Sequence, residues 1–351
     1  MGRRTTTIIG GVDTHSATHH AAVIDSHGRL LDDAEFPATL AGYAAMLTWM
    51  RSKGSLSQVG VEGTGAYGAG LTRYLHEQNV EVLEVPRPDR RLRRQRGKSD
   101  PIDAEAAART VLAGKASGAP KLADGPIEAI RMLRVARRGA VKARTAAVNT
   151  LRAMLITAPD PLRSQLHGLS AVQLVAACAR LRPDLARLSD PAHAAKAALR
   201  SLAIRAQQLE AETRTLRKQL DRLTRDVAPA TTAVFGLGPD TASALLITIG
   251  DNPDRLRSEA AFAHLCGVAP IPASSGKTNR HRLHRGGDRA ANSALHIATI
   301  VRLRYDPRSR AYAERRTTEG LSMPEIIRCQ KRYLAREVFQ ALRADYTKHS
   351  T

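Results

Sequence analysis

The order of the apolar segments in the first third of the chain is the feature that most restricts its fold. Three short runs of strand character come first, at Thr5–Asp13, Thr18–Ile24 and Arg29–Phe36, and the turn sequence Asp25-Ser-His-Gly separates the last two. Two successive hairpins of this kind predict a three-stranded antiparallel unit.

Helical and strand patterns then alternate. We expect a helix at Ala38–Met50, a strand at Gln58–Glu62, a helix at Tyr67–Gln78, a strand at Val80–Val85 and a helix that begins at Asp100. The order β-β-β-α-β-α-β-α predicts a mixed α/β sheet with helices on its faces, over residues 5–115.

Four acidic residues fall where such a sheet gathers its ligands. Asp13 ends the first strand, Glu62 ends the fourth, and Asp100 and Asp103 share one face of the first turn of the last helix. Their carboxylates suit one or two Mg²⁺ ions, with Mn²⁺ as the alternative. Each acid alone is more often a solvated surface residue, and Asp100 and Asp103 are also explained as a helix cap and a helix-dipole aspartate, so the prediction rests on the four together.

The charge balance points to a polyanionic partner. The chain has 54 Lys and Arg against 33 Asp and Glu, a net charge of +21, which favours nucleic acid. One dense basic tract precedes Asp100, and a second row steps by three and four along a predicted helix at 127–156. Both are predicted to contact the phosphate backbone, although a solvated basic face is the alternative for the helix. The residues concerned are Arg93, Arg94 and Arg96 in the tract, and Arg131, Arg134, Arg138 and Lys142 on the helix.

Other features narrow the class of protein. No run of about 18 apolar residues exists, so we expect no membrane-spanning helix. Three scattered cysteines without metal-ligand spacing indicate a reduced, intracellular protein. Aromatic residues are only 3% of the chain, so platforms for base stacking are not expected to dominate.

The middle of the chain carries a heptad repeat. Leu202, Leu209, Leu216 and Leu223 recur at intervals of seven within a helical stretch at 195–227. This pattern predicts a coiled coil, which either folds back on a neighbouring helix or, as we favour, joins two subunits. Four prolines break residues 158–193, where we expect short helices and loops.

The last third contains a second unusual stretch. Phe235-Gly-Leu-Gly238 is a turn that opens a helix, and a basic loop further on holds Ser274 and Ser275. A serine becomes a nucleophile only with help, which arginines around a phosphodiester could give, but serines in such a loop are more commonly loop formers or hydrogen-bond donors to phosphate. The basic residues of this stretch are Lys277, Arg280, Arg282, Arg285 and Arg289, the last of which starts a predicted helix. The helices after Met323 carry a further predicted backbone-binding face, made of Arg328, Lys331, Arg332 and Arg336.

Five short segments together resemble one family. They are Ile8-Ile-Gly-Gly-Val-Asp13, Val61-Glu62-Gly-Thr-Gly-Ala-Tyr67, Lys98-Ser-Asp100-Pro-Ile-Asp103-Ala104, Gly267-Val-Ala-Pro270 and Ser275-Gly276. The chain resembles the DEDD transposases of insertion sequences, the insertion sequence 110 family. The resemblance implies a ribonuclease H-like (RuvC-like) N-terminal domain at 5–115, a helical linker with the coiled coil at 116–228, and a mainly α C-terminal domain at 229–345. It also implies Asp13, Glu62, Asp100 and Asp103 as a Mg²⁺-binding tetrad and Ser275 as the catalytic serine, with Ser274 as the second choice.

The same resemblance implies a function. We expect a site-specific DNA recombinase that forms a covalent phosphoserine intermediate on donor and target DNA. A structured noncoding guide RNA and a homo-oligomer, a dimer or tetramer, are implied with it, in the bacterial cytoplasm at the nucleoid and without a membrane. The alternatives are a metal-dependent, structure-specific nuclease of the junction-resolvase kind, without a covalent intermediate, and a non-catalytic nucleic-acid-binding protein.

Overall fold

The computed structural model of the chain describes residues 6–86, 99–116, 118–252, 256–274 and 281–349. These residues form two units, one of Met1–Glu128 with Thr248–Leu265, the other of Ala129–Ile247 with Cys266–Thr351. Six residues with predicted roles lie outside the described part, and they are Arg93, Arg94, Arg96, Ser275, Lys277 and Arg280.

The first unit contains the mixed sheet that the sequence predicts. Its strands are β1 (Thr7–Thr14), β2 (Thr18–Asp25), β3 (Leu30–Pro37), β4 (Ser55–Glu62) and β5 (Glu81–Val85). They lie in the order β3-β2-β1-β4-β5. The first three pair antiparallel, while β4 is parallel to both β1 and β5. The carboxyl ends of β1, β4 and β5 therefore meet at one edge.

Helices cover both faces of this sheet, as predicted. They are α1 (Leu40–Lys53), α2 (Ala69–Glu77) and α3 (Asp100–Leu112). Met46 and Leu71 bring α1 and α2 into a core with Val12 and Val59 on one face. Ala108 and its neighbours bring α3 into a second core on the other face. This arrangement fits the ribonuclease H-like fold that the resemblance implies.

Helix α1 begins two residues later than predicted. The Thr39 hydroxyl accepts a hydrogen bond from the Gly42 amide and so caps the helix at its first turn. A threonine at this position satisfies an amide that would otherwise lack a partner, which fixes the start of the helix there.

The helices of the rest of the chain are α4 (Pro126–Ile156), α5 (Asp160–Leu166), α6 (Ala171–Ala179), α7 (Pro191–Val227), α8 (Pro229–Ala233), α9 (Pro239–Ile249), α10 (Glu259–Leu265), α11 (Arg289–Tyr305), α12 (Pro307–Thr318) and α13 (Met323–His349). The long helices predicted at 127–156 and 195–227, and the short ones between them, are thus confirmed. No helix in the described ranges is both long and apolar enough to cross a bilayer.

In the second unit, α4 and α7 run side by side in opposite directions. Leu151 of α4 shares a core with Leu199 and Ala203 of α7, and further along Arg144 forms an ion pair with Glu210, 2.6 Å apart. The helix with the heptad repeat therefore folds back on its own chain over this stretch. The middle of its apolar seam, with Leu209 and Leu216, is only half-buried, and a contact between subunits along it stays a prediction.

The C-terminal helices are joined by buried polar contacts. Asp345 of α13 is buried and accepts hydrogen bonds from the amides of Ala230 and Thr231, so it caps α8 from a distant part of the chain. Asp288 caps α11 in the usual local way, which confirms the predicted start at Arg289. Where the sequence predicts only a loop, two short strands pair antiparallel: β6 (Ile271–Pro272) and β7 (His281–Arg282). Strands of two residues are too short to give a periodic pattern.

Candidate functional site

Strand alternation places two of the predicted acids on the same face of the sheet. Successive side chains on a strand point to opposite faces. Val12 and Val61 are paired in register and face α1 and α2. Asp13 and Glu62, each one residue further on, therefore face α3. Both are buried, with 7% and 8% of their surface exposed.

Two glycines let α3 come close enough for its own acids to join them. A Cβ added to Gly11 would lie 2.2 Å from the Ala104 carbonyl oxygen, and one added to Gly60 would lie 2.9 Å from the Ala107 carbonyl oxygen. Both contacts are with helix backbone, so only glycine fits on the strands. Strand β1 consequently passes directly under the first turns of α3.

The first turn of α3 carries Asp100 and Asp103, with Pro101 at a position where its missing amide costs nothing. Asp103 is 5% exposed, whereas about half of the Asp100 side chain is exposed. The four predicted acids thus lie around the carboxyl end of β1, and three of the four are buried.

A histidine that the sequence analysis did not single out lies within this group. The Nδ1 atom of His15 is 3.8 Å from Asp13 Oδ2 and 3.9 Å from Asp100 Oδ2. One donor atom each of Asp13, His15 and Asp100 lie within 4.8 Å of one another, an arrangement that could hold a metal ion. In the sequence, His15 is marked only by its position two residues after Asp13. Because His19 and His20 follow closely, this position does not distinguish His15 from the other histidines.

Glu62 and Asp103 border this group of three without belonging to it. Glu62 is held beside Asp13 through its backbone, since the Thr14 hydroxyl donates a 2.8 Å hydrogen bond to its carbonyl oxygen. Asp103 is close enough to raise the pKa of Asp13. The structure therefore places donor atoms of Asp13, His15 and Asp100 within 4.8 Å of one another, with Glu62 and Asp103 beside them.

The electrostatics of the cluster favour a cation. Burial raises the pKa of Asp13 most, and the nearby charges of Asp103 and Asp100 raise it further, while His15 lowers it. Carboxylates accept hydrogen bonds but cannot donate them when ionised, so they do not stabilise one another. A divalent ion would offset their repulsion, and oxygen donors are the ligands that Mg²⁺ prefers. The residues present fit such an ion.

The segment that leads to the predicted serine is held by a partly buried chain of hydrogen bonds in the second unit. The Asn292 side-chain amide donates to the carbonyl oxygens of Cys266 and Gly267, each at 3.0 Å. The Lys331 ammonium donates to Asn292 Oδ1 at 2.6 Å. Gly287 packs against Gly267 so closely that a Cβ on it would lie 2.2 Å from the Gly267 nitrogen. The start of the Gly267-Val-Ala-Pro270 motif is thereby fixed, while Ser274 is exposed and Ser275 lies outside the described residues.

Lys331 is therefore not part of a basic surface, contrary to prediction. It is 9% exposed, and burial lowers the pKa of its ammonium. The spacing of residues along a helix does not distinguish an exposed lysine from a buried one. Lys331 is buried because its partner, Asn292, lies on another helix.

The predicted row of basic residues on α4 contains both exposed side chains and one that is paired within the protein. Arg138 and Lys142 are exposed and Arg131 is half-buried. Arg134, however, donates to Asp240 Oδ1 at 3.1 Å and to Ser243 Oγ at 2.8 Å, and its side chain is 17% exposed. Nη1 of Arg134 thus already has partners on α9, and its use as a phosphate contact stays a prediction. The other described basic residues with a predicted role, Arg282, Arg285 and Arg289, are exposed.

The Gly turn before α9 is also satisfied internally. The amide of Gly238 donates to the Thr241 hydroxyl at 2.9 Å, and Asp240 in the next turn brings a negative charge to the helix start. Neither feature favours a phosphate at this turn.

Comparison with known proteins agrees with the site. A family model of DEDD transposases, described as "Transposase", matches residues 10–158, and a model described as "Transposase IS116/IS110/IS902 family" matches residues 230–314. A protein of the insertion element IS110 of Streptomyces coelicolor, of 43.6 kDa, is 33% identical over 124 residues, which are 34% of this chain and 30% of that protein.

A second relative is a 42 kDa protein of the insertion element IS900 of Mycobacterium paratuberculosis, 31% identical over 86 residues, which are 24% of this chain and 22% of that protein. The matched stretches span less than a third of either relative. The two family models match successive parts of the chain and include all four acids and the segment around the serine. The chain belongs to the IS110 family of transposases.

Proposed function

We propose that this chain is a DNA transposase, an enzyme that cuts and rejoins DNA strands at the ends of an insertion sequence. The observation that carries the proposal is the convergence of Asp13, His15 and Asp100 at the carboxyl end of β1, in a chain of this family. A nucleic-acid-binding protein without catalysis has no need of four acids gathered at one place with three of them buried, since their repulsion costs stability.

The acids would hold the metal. Asp13 and Asp100, with Glu62 and Asp103 beside them, would bind one or two divalent ions, for which Mg²⁺ is our first choice. Ions bound there supply Lewis-acid stabilisation of negative charge on a phosphodiester. The chain's own contribution is to hold the carboxylates in place through β1, β4 and the first turn of α3.

The serine would carry the strand exchange. In this proposal the Ser275 hydroxyl loses its proton and attacks the scissile phosphorus, the serine–phosphate bond forms, and the bond to the leaving DNA oxygen breaks as that oxygen takes up a proton. Rejoining reverses these steps with the hydroxyl of another strand. The phosphoserine ester keeps the energy of the phosphodiester, so that no nucleotide cofactor is needed.

The basic residues would bind the backbone of the nucleic acid. Arg138 and Lys142 on α4, and Arg282, Arg285 and Arg289 near the serine loop, are exposed and available for phosphates. Arg93, Arg94, Arg96, Lys277 and Arg280 are proposed for the same role from the sequence. A guide RNA and assembly into a dimer or tetramer are part of the proposal; the net charge of +21 supports a polyanionic partner of either kind.

A trapping experiment tests this function. The full chain, freed of nucleic acid in high salt, is incubated with end-labelled DNA of the element's junction, its co-purifying RNA and Mg²⁺, and then denatured with detergent. We expect a labelled protein–DNA adduct that disappears in Ser275→Ala and in Asp13→Asn. The neighbouring Ser274→Ala is the matched control and should keep the adduct.

The outcomes separate the candidate functions. Cleaved DNA without any adduct in the wild-type chain would favour the metal-dependent nuclease. An adduct that persists in Ser275→Ala but is lost in Ser274→Ala would move the nucleophile by one residue.

A further inference from the structure

We infer that His15 is a nitrogen ligand of the metal centre, which raises the affinity of the centre for a divalent transition ion such as Mn²⁺ more than its affinity for Mg²⁺. This inference rests on the metal centre in the proposed function and goes beyond its four acids. It concerns one imidazole that faces two of them.

The distances favour a shared ion over direct hydrogen bonds. His15 Nδ1 lies 3.8 Å from Asp13 Oδ2 and 3.9 Å from Asp100 Oδ2, both beyond hydrogen-bonding range. Two donor atoms that are each about 2.1 Å from one ion lie at most about 4.2 Å apart. The imidazole and either carboxylate are thus already separated by a distance that ligands of one ion can have.

The neighbouring histidines, His19 and His20, make contacts within the fold, and His15 differs from both. His19 is fully buried, stacks on Tyr43 with ring centroids 5.5 Å apart, and its Nδ1 lies 3.0 Å from a backbone oxygen. The His20 ring lies 2.7 Å from Asp33 across the β2–β3 pair. His15, by contrast, has a half-exposed side chain that is not needed for the core, and its ring nitrogen is directed toward the two acids of the site.

The chain also holds the backbone of His15 in position. Its amide donates to the Thr18 carbonyl oxygen at 3.1 Å, which closes the tight turn between β1 and β2. The turn keeps the imidazole two residues beyond Asp13 and on the same side as the start of α3. A ligand held on a short turn between two paired strands is ordered before the metal arrives, which favours binding.

The donor set has a chemical consequence. Mg²⁺ binds oxygen ligands and gives up its water reluctantly, whereas first-row transition ions accept imidazole readily. Replacing one oxygen by nitrogen should therefore weaken the preference for Mg²⁺. Mn²⁺ is the suitable probe because it tolerates carboxylates as well as nitrogen and is paramagnetic.

The experiment uses the full chain without nucleic acid and Mn²⁺ alone. Binding is followed by the electron paramagnetic resonance signal of the free ion, Mg²⁺ affinity is measured by competition, and spin-echo modulation reports nitrogen bound to Mn²⁺. The variants are His15→Gln and Asp13→Asn, with His27→Gln as the matched control, since His27 lies exposed in the next turn of the same sheet. Melting temperatures of all four chains confirm that they are folded.

We expect nitrogen modulation in the wild type and in His27→Gln, and its loss in His15→Gln. Mn²⁺ affinity should fall by about tenfold or more in His15→Gln, and Mg²⁺ affinity by much less. Mn²⁺ that binds in an Asp13-dependent way without nitrogen modulation would overturn the role of His15 and leave the proposed centre intact. Mn²⁺ binding that Asp13→Asn does not change would remove the centre itself, and the inference with it.

Discussion

Two clusters of charged residues in this molecule differ in a way that separates a ligand site from a structural contact. At the end of β1, Asp13 and Asp100 face one another, so that acceptors meet acceptors. On α4, Arg134 and Arg137 meet the carboxylate of Asp240, so that donors meet an acceptor. In the second cluster, positive charges thus already meet a negative one. The first becomes favourable only when something positive is added, which is the physical mark of a cation site.

The largest expected effect tests this difference directly. Asp13→Asn should lower DNA strand cleavage by at least about 10²–10³-fold, the scale seen when a single group that stabilises charge in the transition state is removed. The same change should stabilise the metal-free chain at neutral pH, since it removes a buried charge that faces like charges. Activity and the melting temperature in EDTA, measured on the same preparations, give both values.

The pH dependence follows from the raised pKa of Asp13. A carboxyl group whose pKa is higher in the folded chain adds stability below its ordinary pKa, and that stability is lost as the pH rises through the folded value. The advantage of Asp13→Asn in EDTA should therefore grow with rising pH and vanish in acid. A variant that is less stable than the wild type at neutral pH would show that Asp13 is a structural partner, like Asp240.

The second effect concerns how the acids are brought together. Gly11→Ala should cost about 1–3 kcal/mol of unfolding free energy, because the added methyl group meets the backbone of α3 and forces the helix outward. Gly65→Ala is the control, since a Cβ there meets nothing within 4 Å. Chemical denaturation compares the two.

Metal binding adds a second measurement to the Gly11 variant. If α3 carries half of the site, folded Gly11→Ala should bind Mn²⁺ more weakly than Gly65→Ala. Equal affinities would mean that the first turn of α3 contributes little to the centre, and that the acids of the strands bind the metal without it.

The sequence predicts the position of an acid better than the partner of a base. Asp13 and Glu62 could be placed because strand ends and alternation are local properties, and Asp100 could be placed because a proline marks the first turn of its helix. His15 was missed since only the close approach of α3, allowed by Gly11, shows what its ring faces.

The availability of the basic residues is harder to predict, because it depends on contacts that are not local. Arg134 lies in a regular row with Arg138, and nothing nearby in the chain distinguishes them. What removes Arg134 from the surface is Asp240, which is 106 residues further on. Lys331 is likewise bound by a distant residue, since its partner Asn292 lies 39 residues away. Contacts between distant segments decide which charges remain available to a ligand.

The smallest expected effect separates the two arginines of that row. Arg134→Ala should lower the free energy of unfolding by about 1–3 kcal/mol, because it removes the largely buried donor to Ser243 Oγ and leaves Arg137 as the partner of Asp240. Arg138→Ala should leave stability unchanged within about 0.5 kcal/mol, as expected for an exposed side chain.

DNA binding should respond in the opposite order. Arg138→Ala should reduce the slope of log affinity against log salt by about 1, and Arg134→Ala should change that slope less. Urea denaturation and salt titrations of both variants provide the four values. A salt slope that falls with Arg134→Ala and stays constant with Arg138→Ala would mean that the α9 contact opens when nucleic acid binds, and that a satisfied arginine is not always a structural one.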